Sequence, residues 1–424
     1  MLRALPPERR RRGDRVAAAA LVVVVVAAVV AVATTGDVAG TASRPAAEPV
    51  AAPPPAAAAP AAFAEAWRAP SGATPAPLVA GPAVVTGDGS TVSGRDAATG
   101  EERWSYARDL PLCTVGSGFP SDAGGGPATH VLALYGTGPL DGPGTWCSEL
   151  TMLGAATGAR EGARNPDARP GVRLLADDAY VLAVDPEHLE AWRYDLVRTV
   201  EYGDVPAQEQ ADRQPRPQCA YGSAAQGGRR TAVVERCPDE DVDRLTVLVT
   251  DGEDGADQPE VAYSVLLPGA GAVVVATTEG RTAVALPGPD RLLVLDGAGT
   301  VVGTTQLDLD GGPPAADPPG GVAVTSSDGR LRYWWSGSGV VALDEGELAP
   351  VWTLPGAVGP PVRYGADLLV PVPEGLAVVD AGRGLLRRTL PVRRDDPAGP
   401  VVPAALGEVL LEQRGGEVVA LLPG

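Results

Sequence analysis

Few residues in this sequence are spaced to do chemistry. The two histidines, His130 and His188, stand in different segments without the spacing of a metal-ligand pair. No Gly-x-Ser-x-Gly stretch is present to lift a nucleophile onto a strand-to-helix turn. Two acidic runs, 238–243 and 251–257, flank an apolar stretch at 245–250. Clustered carboxylates are the hard oxygen ligands that Ca²⁺ takes, but neither run follows the Asp-x-Asp-x-Asp-Gly rule. Both read as solvated loop tips. No catalytic, cofactor-binding or metal-ligating residue is expected on these grounds, and no cofactor.

The spacing that recurs is structural. Asp96 and Trp104 stand eight residues apart around Thr99-Gly100, and Asp344 and Trp352 repeat the interval. Asp380 and Arg388 keep it without the Trp, and 154–162 keeps Thr157-Gly158 but loses both ends. Self-similarity at a period of tens of residues marks a repeat architecture. From residue 63 onward, short Val/Leu runs alternate with Gly, Pro and Asp turns, which predicts strands rather than helices. They fall into groups of four at about 78–104, 112–162, 170–202, 217–266, 270–307, 320–354, 360–390 and 400–422. The sixth group includes an expected first strand at 322–326. The last group lacks a fourth strand, and the segment around Trp67 reads as an orphan fourth strand. Pairing the two closes a ring and removes sheet edges. The expectation is an all-β, eight-bladed β-propeller over 63–424, closed by an N-terminal strand carrying Trp67. It becomes seven blades if 112–162 or 217–266 is irregular.

Ahead of it lies a different composition. Residues 1–15 hold six Arg against Glu8 and Asp14, a net +4. Residues 16–33 carry no charge and would span about 27 Å as a helix, close to the hydrocarbon core of a bilayer. The reading is a cytoplasmic basic arm (1–15), a transmembrane helix (16–33) and an extracytoplasmic bulk, because the basic side stays inside. A cleaved signal peptide is the alternative, since Ala31-Val32-Ala33 fits the small-x-small rule. Residues 34–62, with Pro53-Pro54-Pro55, read as a disordered Ala/Pro-rich linker or stalk. Beyond the arm the chain carries −23, which repels nucleic acid phosphate. Lys and Ile are absent, the composition of a GC-rich genome such as an actinobacterium's.

Four cysteines on an exported domain predict two disulfides. Adjacent strands bring Cα atoms within bridging range, so the expected pairs are Cys113–Cys147 and Cys219–Cys237.

The interval resembles the blade motif Ala-x-Asp-x-x-Thr-Gly-x-x-x-Trp of pyrroloquinoline-quinone-type propellers, the quinoprotein alcohol dehydrogenase-like superfamily. Asp96, Thr99, Gly100 and Trp104 match it, with Gly94 in place of Ala. Ala342, Asp344 and Trp352 match in a second blade, where Glu347 and Leu348 replace Thr-Gly. The resemblance implies that each Trp docks flat between blades, so these residues are scaffold. It also implies what a quinoprotein site requires: a disulfide between adjacent cysteines, a flat Trp, and Ca²⁺ held by Glu, Asn and Asp. No two cysteines are adjacent, and the one asparagine, Asn165, sits in a turn between blades. In a strand, Trp334 and Trp335 point to opposite faces. The catalytic set is therefore not carried over.

The expected function is a non-catalytic, membrane-anchored extracytoplasmic propeller that binds or scaffolds a protein or cell-envelope component. The alternative is a quinoprotein-type dehydrogenase or another enzyme on the same scaffold. A sensor signalling through the short arm ranks last.

Overall fold

The computed structural model describes residues 12–36, 39–119, 128–177, 179–208, 212–252, 258–287, 290–307, 318–394 and 399–424. Most of the basic arm and residues 253–257 of the second acidic run lie outside the described residues.

Eight antiparallel sheets follow one another along the chain. Blade 1 comprises Leu78–Ala80, Ala83–Asp88, Thr91–Arg95 and Glu102–Arg108, and blade 2 Leu112–Ser117, His130–Tyr135, Glu149–Gly154 and Arg160–Arg164. Blade 3 is Arg173–Ala176, Tyr180–Val184, His188–Arg193 and Arg198–Gly203, and blade 4 Ala220–Gly227, Arg230–Arg236, Arg244–Val249 and Val261–Leu266. Blade 5 is Val273–Thr277, Arg281–Leu286, Arg291–Asp296 and Val301–Gln306, and blade 6 Thr325–Ser327, Leu331–Trp335, Gly339–Asp344 and Pro350–Pro355. Blade 7 is Val362–Tyr364, Asp367–Val372, Gly375–Val379 and Leu386–Pro391. Blade 8 takes Val401–Leu406, Val409–Arg414 and Glu417–Pro423 from the end of the chain.

First strands touch across six of the eight blade interfaces, at the inner edges of their sheets. Fourth strands face outward, as Val301–Gln306 does with most of its residues exposed. Because each sheet is antiparallel in sequence order, the fourth-to-first connections and the second-to-third turns share one face, here the upper. First-to-second and third-to-fourth turns share the lower face. The apolar core follows from this arrangement. Strands alternate their side chains, so each sheet buries residues on both sides against its neighbours. Among the described residues, eight hydrophobic clusters fill the eight blade interfaces, from Trp104 and Leu153 between blades 1 and 2 to Val84 and Leu411 between blades 1 and 8.

Closure is made by β1 (Thr41–Arg44) and β2 (Phe63–Pro70). β2 is the outer strand of blade 8, antiparallel to Glu417–Pro423, with Trp67 opposite Ala420. Eight blades and the closing strand are as the sequence predicts. β1 was not anticipated: it adds a fifth strand to blade 1, pairing Thr41 with Arg108 and Arg44 with Ser105.

The segment expected to be a disordered linker is docked. Ala46 and Val50 N–H donate to the carbonyls of Thr157 and Ala156 in a lower turn of blade 2 (2.8 and 3.0 Å). Pro54 O accepts from Glu408 N–H of blade 8, and Ala57 O from Ala366 N–H of blade 7. Ala59 N–H donates to Asp367 Oδ2, and Arg388 reaches back to Ala59 O. Val50 and Ala59 are buried. The correction has a physical reason. Proline lacks an N–H, but its carbonyl still accepts, and an extended chain on a ring of turns satisfies the turn amides. This strap crosses the lower face from blade 2 over the seam to blade 7.

Helix α1 (Arg12–Thr35) precedes it, with Val16, Leu21 and Val22 to Val26 exposed. It is long and apolar enough to be a membrane anchor or a signal sequence.

Candidate functional site

The repeated interval forms a docking device. Asp96 Oδ1 accepts from the N–H groups of Ala98 and Thr99 and from the Thr99 hydroxyl, closing a turn that ends at Gly100. Gly100 has φ +74, which only glycine adopts without strain. The preceding blade's outer strand lays an aromatic ring on that glycine. Trp104 donates from its indole N–H to Ala155 O (2.9 Å), and a Cβ on Gly158 would fall 2.5 Å from its ring. Trp352 does the same to Ala381 O and Gly384. Asp96, Thr99, Gly100, Trp104, Ala342, Asp344 and Trp352 thus lie at four blade interfaces and are not gathered at one site. Trp67 lies at the seam between blades 8 and 1.

The disulfides pair as expected. Cys113–Cys147 joins the first strand of blade 2 to the approach of its third, with Cα atoms 6.1 Å apart. Cys219–Cys237 joins the ends of two neighbouring strands in blade 4, at 4.2 Å. Each histidine faces a glutamate: His130 Nε2 is 2.9 Å from Glu161 Oε2, and buried His188 Nε2 is 3.4 Å from Glu201 Oε1. Among the described residues neither pairs with a serine or cysteine.

The sequence reading missed the upper end of the interface between blades 3 and 4. A cleft of about 380 Å³ opens there, lined by Gly171, Asp185, Tyr221, Arg236, Pro318 and Gly320 among others. Its roof is the connector into blade 6. The expected strand at 322–326 starts only at Thr325, because Val322 instead makes a parallel bridge to Ala224 of blade 4. Gly320 and Gly321 have φ +65 and +68, and a Cβ at 320 would lie 2.8 Å from Arg173 Nε. The Pro-Pro-Gly-Gly run at 318–321 was the available signal, since clustered Pro and Gly between strand patterns mark a loop.

The cleft wall is held from below. Arg216 donates to Glu235 Oε2 (3.0 Å), the Tyr202 hydroxyl (2.9 Å) and Thr246 Oγ1 (2.9 Å). Tyr202 donates to Glu235 Oε1 at 2.6 Å. Tyr221 stacks on Tyr202 with centroids 6.3 Å apart and donates to its carbonyl. Burial pushes both phenols above their ordinary pKa, so they stay neutral donors. Asp185 is saturated by the N–H groups of Arg169, Glu187 and His188 at 2.8–2.9 Å. Ser223 Oγ accepts from Val274 N–H at 2.9 Å. The polar groups named are engaged in holding the wall, and among the described residues that line the cleft no hydroxyl stands beside a free base.

No known family matches the sequence, and no curated protein does. Among solved structures, a quinohemoprotein alcohol dehydrogenase from Pseudomonas putida HK5 is similar in fold. It has TM-score 0.50 and 11% identity, covering 87% of this chain and 78% of that one. The likeness is one of fold.

The residues present do not fit the quinone and calcium that the blade-motif resemblance implies. Both disulfides join distant cysteines. Asn165 lies exposed at the rim, donating to Ser148 O and Glu149 Oε1. Trp334 is buried in the core, and Trp335 donates to Ala357 O between blades. Among the described residues no three His, Cys, Asp or Glu converge on a metal position.

Proposed function

We propose that this chain is a membrane-tethered, extracytoplasmic binding propeller that recognises a protein or cell-envelope component without catalysing a reaction. The observation that carries the reading is the cleft between blades 3 and 4. It is a shaped cavity on the upper face, within the roughly 300–1,000 Å³ range of ligand sites. Its carboxylate and hydroxyls are committed to structural hydrogen bonds rather than poised for proton transfer.

The tether supports the same reading. Only residues 36–40 separate α1 from β1, a reach of about 20 Å at full extension. With the strap docked, the propeller rides at the membrane surface rather than on a free stalk. Two disulfides suit an oxidising compartment, and the Arg cluster suits a cytoplasmic N-terminus.

A quinoprotein-type dehydrogenase is the second reading, favoured by the fold of the similar solved structure. Two measurements separate them. Crosslinking from the upper face in native cells, followed by mass spectrometry, is expected to capture a specific envelope partner. Incubation of the purified protein with pyrroloquinoline quinone and Ca²⁺ is expected to leave it colourless and inactive in a dye-linked alcohol assay. Stoichiometric quinone uptake with turnover would replace the binding reading by the enzymatic one.

A further inference from the structure

A second cavity, of about 420 Å³, opens at the outer rim between blades 1 and 2. Its walls are the outer strand of blade 1, extended by β1, and the third and fourth strands of blade 2. The strand register places the side chains. Leu153 packs in the core shared with blade 1. Residues two apart in a strand, or opposite each other in neighbouring strands, share a face. Glu149 and Thr151 therefore face blade 1, as does Arg160, which lies opposite Leu153. Tyr106 and Arg108 look back at them, on the side from which Trp104 reaches Ala155 O of blade 2.

In a chain with 53 acidic residues against 34 basic ones, three arginines and one carboxylate line this cavity. Two of the arginines are matched. Arg108 Nη1 donates to Glu149 Oε2 at 3.1 Å, and Asn165 Nδ2 donates to Glu149 Oε1 at 3.2 Å. Arg164 is turned to blade 3, where it donates to Leu196 O (2.7 Å) and Glu190 Oε2 (3.4 Å). Arg160 is exposed, and no anion or other acceptor engages it among the described residues. Two hydroxyls are idle beside it. Tyr106 and Thr151 line the cavity at 2% and 1% exposure, and neither hydroxyl has a hydrogen-bond partner among the described residues. Buried hydroxyls are ordinarily paired, with protein or with a bound group.

The position of the cavity points to what fills it. Thr41 lines it and lies opposite Arg108, at the upper end of the blade 1 outer strand. Residues 36–40 give at most about 20 Å of chain back to α1, which keeps that end within reach of the headgroup layer. We propose that the cavity between blades 1 and 2 binds the phosphodiester of an anionic membrane lipid, on the guanidinium fork of Arg160 and the hydroxyls of Tyr106 and Thr151. A phosphodiester carries one negative charge, which Arg160 balances, and its two unesterified oxygens accept from the fork and the hydroxyls. A phosphomonoester carries nearly twice that charge and would bring the excess against Glu149.

The inference rests on the tethered reading, and the two fail separately. Recovery from native cells of a mature chain lacking α1 would remove the tether, whereas the cavity is tested on the full chain in nanodiscs. The discs are made of digalactosyldiacylglycerol, which is neutral and free of phosphate, with or without phosphatidylglycerol. Arginines are modified with phenylglyoxal and read by peptide mass spectrometry. Phosphatidylglycerol is expected to slow modification of Arg160 at least tenfold and to leave exposed Arg103 unchanged. Deacylated glycerophosphoglycerol and inorganic phosphate, added to discs without phosphatidylglycerol, are expected to protect Arg160 at least tenfold more weakly. Native mass spectrometry of protein released from the mixed discs is expected to find one retained phosphatidylglycerol. Arg160→Met is expected to lower that occupancy at least tenfold, and the near-isosteric double variant Tyr106→Phe/Thr151→Val at least threefold. The proposal is overturned if Arg160 reacts equally fast with and without the lipid, or if Arg103 is slowed as much. It is also overturned if the soluble phosphates protect as well as the lipid, or if either variant keeps the wild-type occupancy.

Discussion

Trp67 lies flat across Gly100, joining β2 to the first blade over the seam of the ring. A Cβ on Gly100 would fall 2.6 Å from the indole Cγ, and the indole N–H donates to Ala97 O at 2.8 Å. The residue that pairs with the end of the chain is therefore also the residue that docks on its beginning. Trp67→Ala is expected to cost about 3–5 kcal/mol, the range for removing a large packed aromatic. Gly100→Ala is expected to cost about 2–3 kcal/mol through the clash and the positive φ. Urea denaturation of both single variants and the double variant checks this. The double is expected to cost clearly less than the sum, because both changes remove one contact. Simple additivity would mean that the ring does not depend on this contact.

Elsewhere in the ring the same contact is made with the sizes reversed. Gly162 of blade 2 occupies the strand position that Trp104 occupies in blade 1, each following a bulge against the third strand. The turn it meets in blade 3 carries Leu196 at φ +61 where blades 1, 2, 5 and 7 carry glycine, and a Cβ at 162 would lie 3.2 Å from Leu196 Cδ1. Large-on-glycine has become glycine-under-leucine. Gly162→Trp and Leu196→Gly are each expected to destabilise by about 2–4 kcal/mol, by overpacking and by cavity formation. Combined, they are expected to recover about half of that loss, which thermal melts and urea midpoints measure. A double variant as unstable as the sum of the singles would refute the exchange.

That exchange marks where the sequence stops being legible. Asp96, Thr99, Gly100 and Trp104 announce a blade because the turn needs an acceptor, a hydroxyl and a positive-φ glycine at fixed offsets. Leu348, which the Asp344–Trp352 interval aligns with that glycine, takes its positive φ of +53 as a buried residue, whereas Leu196, with neither end of the motif around it, is unreadable as an equivalent until the interface is seen. The ring closure was legible because a missing fourth strand and an orphan strand complement each other. The strap at 45–62 was not, since an Ala/Pro tract has the same composition free or docked, and only the amides of distant turns decide which.

Acid sensitivity has an identifiable source in blade 6. Burial opposes ionisation of Asp328, but the N–H groups of Leu331 (2.9 Å) and Arg330 (3.1 Å), the Tyr333 hydroxyl (2.9 Å) and Arg363 outweigh it, so its pKa lies below the ordinary carboxylate value. A carboxyl depressed in the folded state contributes stability above its unfolded pKa, about 3.9. That contribution fades as pH falls through the lower folded value. The urea midpoint of the wild type is expected to drop between pH 5 and pH 2, and Asp328→Asn is expected to be less stable at pH 7 but to show a smaller drop. Equal pH slopes in the two proteins would place the sensitivity in other groups.

The strap offers the most direct check on the architecture of the lower face. If 45–62 were a free spacer, its amides would exchange with solvent as fast as those of an unfolded peptide. Ala46, Val50 and Ala59 instead donate to Thr157 O, Ala156 O and Asp367 Oδ2, and Val50 and Ala59 are buried. Hydrogen exchange of the full chain in detergent is expected to show protection across the peptides covering 44–50 and 57–62, at least tenfold over the unstructured rate. Asp367→Ala is expected to release the Ala59 end while leaving the Val50 end protected, because the two ends sit on different blades. Protection lost along the whole strap in that variant would mean that it docks as one cooperative unit. Exchange at the free rate in the wild type would return the segment to the role of a free spacer.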